Sequence, residues 1–450
     1  TGSSPQTDGF VNCSYGALVG SVATAVVPIL AWDVPFNEGV MTAFEVVAEP
    51  GSIVNPRPPA PISNGHLTTG ARVSRLIVKL FNQACRGSAD PVLRERTQGV
   101  WADSWTGGIS AGTREDGEYF VLFNMDGGGM GAGAQPEADG LDCAGMMTQM
   151  NNMLPDVEMN EMLYPVLYLW KRLAPASAGH GAHRGGLGHE FAWTLHGASQ
   201  VTQTVFAPSA QVPADGYGGG LPGGGSGHLL CHDTDVWQLM SDGAIPTDET
   251  LSSTDRRLLD INQHDLTVRH SDVFIQWNAG GGGYGDPVLR DPARVAQDVN
   301  DGYVTAAVAE SVYGVVLDGD HADAAATAAR RDALRAERLA GTPPAKPILD
   351  SAIGSAGASV PHLGTDGHWY CPASGALIST ADDWHDDAVI QTRPAAERLA
   401  ELGVRIRPRS GEPAVLLEEF ISPSCGTLLE TRVRVAAPRR PPANYCPRSE

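Results

Sequence analysis

Four glycine-dominated runs constrain this chain more than any other feature: Asp126 to Ala134, Gly179 to Gly188, Gly216 to Gly227 and Gly280 to Gly285. Glycine lets two backbones approach where a Cβ would collide, and it weakens the helices that contain it. The runs therefore predict tight turns, close backbone approaches and few long helices, with short strands dominating the middle of the chain. At 450 residues, 53 of them glycine, the chain is long enough for two or three domains, each with its own apolar core.

Between the runs, Tyr119 to Asn124, Phe191 to Leu195, Val201 to Phe206 and Val273 to Trp277 carry β-branched and aromatic residues in short bounded stretches, which predicts strands. Helical spacing of Val73, Ile77, Leu80 and Phe81 predicts a helix over Ala71 to Ala84. A second is expected over Pro292 to Asp301, with Asp291 as N-cap and Gly302 as its stop, and a third, on the surface, over Ala322 to Leu339. A Pro/Gly/Ser/Ala-rich connection follows. The expected organisation is a core over 1–340, a linker over 341–360 and a small β-rich unit over 361–450 with strands at Leu416 to Ile421 and Leu428 to Val435. The fold class is α+β: a strand-rich, glycine-rich, multi-layer core plus a small degenerate zinc-ribbon-like domain.

The balance of 52 acidic against 31 basic residues, a net charge of −21, argues against a surface that tracks nucleic-acid phosphates. The most apolar stretch, Ala17 to Ile29, is too short to span a bilayer. Seven cysteines spread thinly through a large chain fit a reducing, cytoplasmic setting better than a disulfide framework. The opening Thr1-Gly-Ser-Ser-Pro-Gln reads as the continuation of an upstream segment, so Thr1 is expected in a strand or turn packed against that segment.

The Gly280 loop lacks the Lys-Ser/Thr of a phosphate cradle and carries Asp286 and Asp291, so a structural turn is favoured over nucleotide binding. His180, His183, His189 and His196 offer imidazoles, although glycine surroundings hold ligands poorly. Arg184, flanked by glycines, is suited either to a ligand carboxylate or phosphate or to a structural ion pair. In the last unit, Cys371-Pro-Ala-Ser374-Gly375 and Ser422-Pro-Ser-Cys425-Gly426 have the shape of zinc knuckles in which each has kept one cysteine. Cys371 and Cys425 are left to bind metal with help from His362, His368 or His385, or to pack as small apolar residues.

In order along residues 1 to 318, the chain resembles the hydantoinase B/oxoprolinase family. The resemblance lies in Thr1-Gly-Ser-Ser-Pro-Gln, Val34-Pro-Phe-Asn37-Glu-Gly, Gly51-Ser-Ile-Val-Asn55, Gly127-Gly-Gly-Met-Gly-Ala, Pro155-Asp-Val-Glu158, Arg184-Gly-Gly-Leu-Gly, the Gly280 loop and Tyr313-Gly-Val-Val-Leu. From His362 onward it is similar to the gamma subunit of acetone and acetophenone carboxylases, through His368-Trp-Tyr-Cys371, Asp383-Trp384-His385, Gln391-Thr-Arg-Pro, Glu419-Phe and the Ser422 knuckle. The resemblance implies a hydantoinase A-like partner that binds ATP with Mg, and a divalent transition metal (Mn or Zn) held in the upstream half of the B-type subunit or in a partner, since the family's metal motifs are absent here. It implies carboxylation, with bicarbonate, of a ketone or related enolisable small-molecule substrate. The alternatives are ATP-dependent hydrolysis of a hydantoin, 5-oxoproline or lactam ring, and a non-catalytic scaffold. Asn37, Asn64, Asn124, Asp126 and Arg184 lie in or beside the matching glycine-rich turns and are the candidate substrate contacts, with Asn124 standing where the family usually has an acidic residue.

Overall fold

In the computed structural model, residues 3–150, 153–409 and 414–436 are described; Thr1 and Cys446 lie outside them. The chain is a mixture of helices and antiparallel sheets, and sequence alternation explains the first pair. Strands β1 (Gly107–Thr113) and β2 (Tyr119–Phe123) form a hairpin in which Phe120 and Leu122 point inward and Tyr119, Val121 and Phe123 outward. With β5 (Gln200–Phe206) and β8 (Asn262–Arg269) they make a four-stranded sheet in the order β8-β5-β1-β2. A second sheet is built from β3 (Val166–Leu173), β4 (His189–Leu195), β6 (Gly227–His232), β7 (Asp255–Leu258) and β9 (Val273–Trp277), in the order β3-β4-β9-β6-β7.

The two sheets share one core, in which Phe120, Leu122, Val201 and Val205 of the first meet Phe191, Trp193, Leu230 and Phe274 of the second. Strand β4 is buried on both faces: Ala192 faces the other way, into a cluster with Cys231, Val236 and Ile275. A face-to-face pair of antiparallel sheets with a shared apolar interior is the sandwich solution to burying one face of each.

Helix α1 (Tyr15–Leu30), capped by Ser14, absorbs the apolar stretch from Ala17 to Ile29. It packs on α2 (Ala71–Arg86) through Ala25, Ile29, Val78 and Cys85, and the Ser74 hydroxyl donates to the Ser21 carbonyl at 2.8 Å. Helix α3 (Pro292–Asn300) starts on the Asp291 side chain, as the sequence predicts, and Gly302 follows it at φ +76°.

All four glycine runs converge. Gly179 donates to the Gly281 carbonyl at 2.9 Å, Gly281 to Gly186 at 3.0 Å, Ala134 to Gly282 at 2.9 Å and Gly283 to Leu221 at 3.0 Å. A Cβ on Gly281 would lie 1.9 Å from the Ala132 carbonyl oxygen, so only glycine fits. The runs are therefore a packed layer of mutually hydrogen-bonded backbone more than a series of turns, and the Gly280 loop is wholly buried inside it.

The last unit docks on that layer through two three-stranded sheets. One holds β10 (His362–Leu363), β11 (Trp369–Cys371) and β12 (Ala376–Ser379); the other holds β13 (Val389–Pro394), β14 (Val415–Ile421) and β15 (Leu428–Val435). Tyr284, Leu289, Cys371, Trp384, Phe420 and Cys425 share one core cluster, so apolar packing runs from the glycine layer into this unit.

Asp286 ties the parts together. Fully buried, it pairs with Arg338 at 2.6 and 2.9 Å and accepts from the Leu428 N–H at 2.7 Å. Arg338 belongs to α4 (Ala324–Arg338), expected on the surface; the helix instead buries Thr327, Arg331, Leu334 and Arg335 against the core. The segment expected to link domains is also packed: Ala356 and Ser359 are fully buried, and the Ser359 hydroxyl accepts from the Asp286 N–H at 3.0 Å.

Candidate functional site

Strand β2 ends at Phe123, and the next residue turns the chain: the Asn124 side-chain oxygen accepts from the Asp126 N–H at 2.9 Å and caps a short turn over Met125–Gly128. That cap drives the Asp126 carboxylate inward, where it has no solvent exposure. Lys171 reaches one oxygen at 2.7 Å, and the Tyr168 hydroxyl donates to the other at 2.7 Å. Asn160 donates to the Tyr168 oxygen at 2.8 Å, and Asn278 donates to the Asp126 carbonyl at 2.8 Å.

Tyr168 and Lys171 are three apart in β3 and would point to opposite faces of a regular strand. A register shift between Tyr168 and Trp170 inserts an extra residue there, and this bulge brings both side chains to the same carboxylate. Burial, and then the Asp126 charge, pushes the Tyr168 phenol well above its usual range, so it stays a donor. Gly127 is required by the approach of the turn to β1, since a Cβ there would lie 1.7 Å from the Thr106 carbonyl oxygen.

In front of this cluster opens a cavity of about 610 Å³. Trp105, Phe123, Met125 and Phe206 give it an apolar floor, with Trp105 packed edge-on against Phe123 at 4.3 Å between ring centres. Asn64, His66 and Gln263 add polar groups to the lining. An apolar cleft of this size with few polar groups has the character of a small-molecule site. Phe123 and Met125 bracket Asn124, so the cavity wall and the buried carboxylate cluster are formed by one continuous turn.

Of the five predicted contacts, Asn64 lines this cavity and Asn124 and Asp126 form the cluster behind its wall. Asn37 is elsewhere, exposed and capping a short surface helix through the Gly39 N–H at 2.8 Å. Arg184 takes the ion-pair role: its guanidinium is buried against Asp142 at 2.9 Å and Asp298 at 3.5 Å. Tyr168, Lys171, Asn160 and Trp105 were not anticipated. A Tyr and a Lys three apart in a strand give no sign of convergence unless the bulge is known.

The two histidines of the second glycine run are hydrogen-bonded within the fold, His183 to the Gln135 carbonyl at 2.9 Å. His180 bonds the Tyr313 hydroxyl and the Leu402 carbonyl, each at 2.8 Å, and burial pushes its pKa down to about 4. Burial likewise lowers His189 to about 4 and His228 to about 3. Unfolded histidines titrate near pH ~6.5, so below that pH the unfolded chain binds protons that the folded chain refuses. The stability these groups contribute is complete above pH ~6.5 and is lost as pH falls toward their folded values. Each should remove about 1.4 kcal/mol per pH unit in that window. Urea midpoints that stay level between pH 7 and pH 5 would contradict this.

Cys371 and Cys425 face each other at 3.7 Å, both fully buried, and the Cys425 sulfur lies 3.1 Å from the hydroxyls of Ser422 and Thr427. The hydrogen bond to Cys425, and then burial, raises the Cys371 thiol far above the usual range. A structural zinc takes four nitrogen or sulfur ligands. This donor set is two thiols and hydroxyls, and His385 is engaged by Asp383 and by Glu430 at 2.9 Å. Among the described residues no three His, Cys, Asp or Glu side chains are grouped to hold a metal. A metal on Cys371 and Cys425 would need further ligands that the described residues do not group there, and both cysteines lie in the core cluster with Trp384 and Phe420. Replacing both Ser374 and Ser422 with Cys should raise zinc content toward one ion per chain by elemental analysis, whereas stoichiometric zinc in the unmodified chain would refute the reading.

Residues 1–287 match the family model described as hydantoinase B/oxoprolinase. The chain belongs to that family. Residues 360–444 of this hydantoinase B/oxoprolinase member match the model of the acetone carboxylase gamma subunit. Among curated relatives, the acetone carboxylase alpha subunit of Xanthobacter autotrophicus is 33% identical over 233 residues, which cover 48% of this chain and 30% of that one. The caprolactamase subunit beta of Pseudomonas jessenii is 29% identical over 342 residues, covering 74% of this chain and 53% of that one. The fold is also that of the nucleotide-free structure of acetone carboxylase, with a TM-score of 0.68 at 24% identity over 76% of this chain and 47% of the other. The chain thus spans about a third to a half of the length of these relatives.

Proposed function

We propose that this chain is part of a subunit of an ATP-dependent, biotin-independent carboxylase acting on a ketone or related enolisable compound. The observation that carries the reading is the gamma-subunit-like unit over 360–444, fused to a hydantoinase B core and sharing its apolar interior. A hydantoinase A-like partner binds ATP and Mg and phosphorylates bicarbonate or the enolate. The transition metal sits in the remaining part of the B-type subunit or in the partner.

This chain's own contribution is positioning. The apolar floor of Trp105, Phe123 and Phe206 holds an uncharged substrate and keeps water from a labile acyl phosphate. The cluster of buried Asp126 with half-buried Lys171 and Tyr168 fixes the turn that forms the wall. The unit that begins at 361 acts as a degenerate ribbon that braces the glycine layer through the Leu428 N–H on Asp286.

A second reading, ATP-dependent opening of a cyclic amide, is favoured by the similarity to caprolactamase subunit beta over 74% of the chain. Composition of the native assembly is the first test. Mass analysis after mild purification should find an ATP-binding chain and the remaining hydantoinase B sequence travelling with this one. A chain that purifies alone and turns over ketone or lactam unaided would contradict both readings.

A further inference from the structure

A second cavity, of about 910 Å³, lies at the seam between the core and the 361–450 unit, away from the residues of the candidate site. On one side are the C-terminal end of α2 and the segment after it, which bring Arg86, Arg94 and Thr97, with Tyr284 of the Gly280 loop; on the other are Trp369, Trp384, His385 and Arg432. Three carboxylates also line it, and two are already satisfied: Asp383 and Glu430 flank His385, and Arg432 pairs with Glu430 at 2.5 Å. The third, Glu95, is exposed.

Arg86 and Arg94 differ. Among the described residues neither has a carboxylate within ion-pair distance, although the chain carries 52 acidic residues. Arg94 donates only to the Ser88 and Ala89 carbonyls, and Arg86 to the Pro361 carbonyl at 2.8 Å. The Arg86 guanidinium also lies 5.5 Å from the ring centre of Trp369 and 5.9 Å from that of Trp384. A guanidinium held against aromatic rings keeps its planar fork pre-organised, with donors left over for an anion. Among the groups that line the cavity with it are the apolar surfaces of Trp369, Trp384, Tyr284, Val360 and Leu363.

From this combination we infer that the seam is a binding site for an aromatic carboxylate, with the carboxylate on Arg86 and Arg94 and the ring against the aromatic wall. Two guanidiniums with no carboxylate partner among the described residues supply charge recognition, and the volume falls within the range of ligand clefts, about 300–1,000 Å³. Because the site spans core and added unit, its ligand would clamp the two together. The inference rests on the seam alone and stands whether the assembly carboxylates ketones or opens lactams.

The test is calorimetry on the whole chain with sodium benzoate as probe and benzamide, acetate and inorganic phosphate as comparators. Benzoate should bind at least tenfold more tightly than benzamide, which lacks the charge, and than acetate, which lacks the ring. Arg94→Gln, at an exposed position, and Arg86→Gln should each weaken benzoate at least tenfold while leaving the circular dichroism spectrum unchanged. Equal affinity for benzoate and benzamide, phosphate binding as tight as benzoate, or benzoate binding that survives Arg94→Gln would overturn the assignment.

Discussion

Replacing Lys171 with Met is expected to lower folding stability by about 3–5 kcal/mol, because it strands a buried carboxylate. Asp126 has no solvent exposure, and Lys171 is its only cationic partner within 4 Å among the described residues. The Tyr168 hydroxyl would remain, but one hydrogen bond offsets only part of the desolvation of an ionised group. The companion double change, Asp126→Asn with Lys171→Met, removes the charge as well as its partner. It should recover more than half of the loss, since the penalty belongs to the unpaired ion and not to the missing pair. Urea denaturation of the two variants beside the parent measures this. A loss below about 1 kcal/mol for Lys171→Met would mean that water already reaches the carboxylate.

Gly281→Ala should be comparably severe, at about 3 kcal/mol or more, through overpacking. The added Cβ would sit 1.9 Å from the Ala132 carbonyl oxygen and 2.3 Å from its carbon, atoms fixed by backbone hydrogen bonds on both sides. No rotamer change relieves a clash with backbone. Gly20→Ala is the matching control. Gly20 lies within α1 with nothing within 4 Å of its Cβ direction, so the change should stabilise by roughly 0.5–1 kcal/mol. Thermal melts of both proteins decide the point: equal, mild effects at the two positions would show that the glycine layer tolerates separation.

Those two sites mark what a sequence reader can and cannot see. Strands rich in β-branched and aromatic residues were legible, and the expected stretch from Val273 to Trp277 is β9 itself. So was α3 with its Asp291 cap, because caps and apolar spacing are local signals. The glycine runs announced close backbone approach, but not that four runs distant in sequence lie against one another, since glycine carries no side chain to specify a partner. Helix α1 is not legible in the same way, because its apolar residues are nearly continuous and a continuous run does not show helical periodicity.

At the candidate site, the turn over Asn124 and Asp126 stood out, whereas its partners did not. Lys171 and Tyr168 meet Asp126 only because of the bulge in β3, a feature set by pairing with β4 and not by β3 itself. Arg184 was read as either ligand contact or ion pair, and the acids that decide between them, Asp142 and Asp298, are 42 and 114 positions away. Asp286, expected to deter an anion, anchors Arg338 of the core for the same electrostatic reason and accepts the Leu428 N–H from across the seam.

The central claim, that this chain serves carboxylation, meets its most direct test in the fate of labelled bicarbonate. The native assembly, supplied with MgATP, a small methyl ketone and carbon-14 bicarbonate, should form a labelled carboxylic acid in an amount that depends on both ATP and ketone. ATP-dependent opening of caprolactam or 5-oxoproline with no label fixed from any ketone would contradict the account.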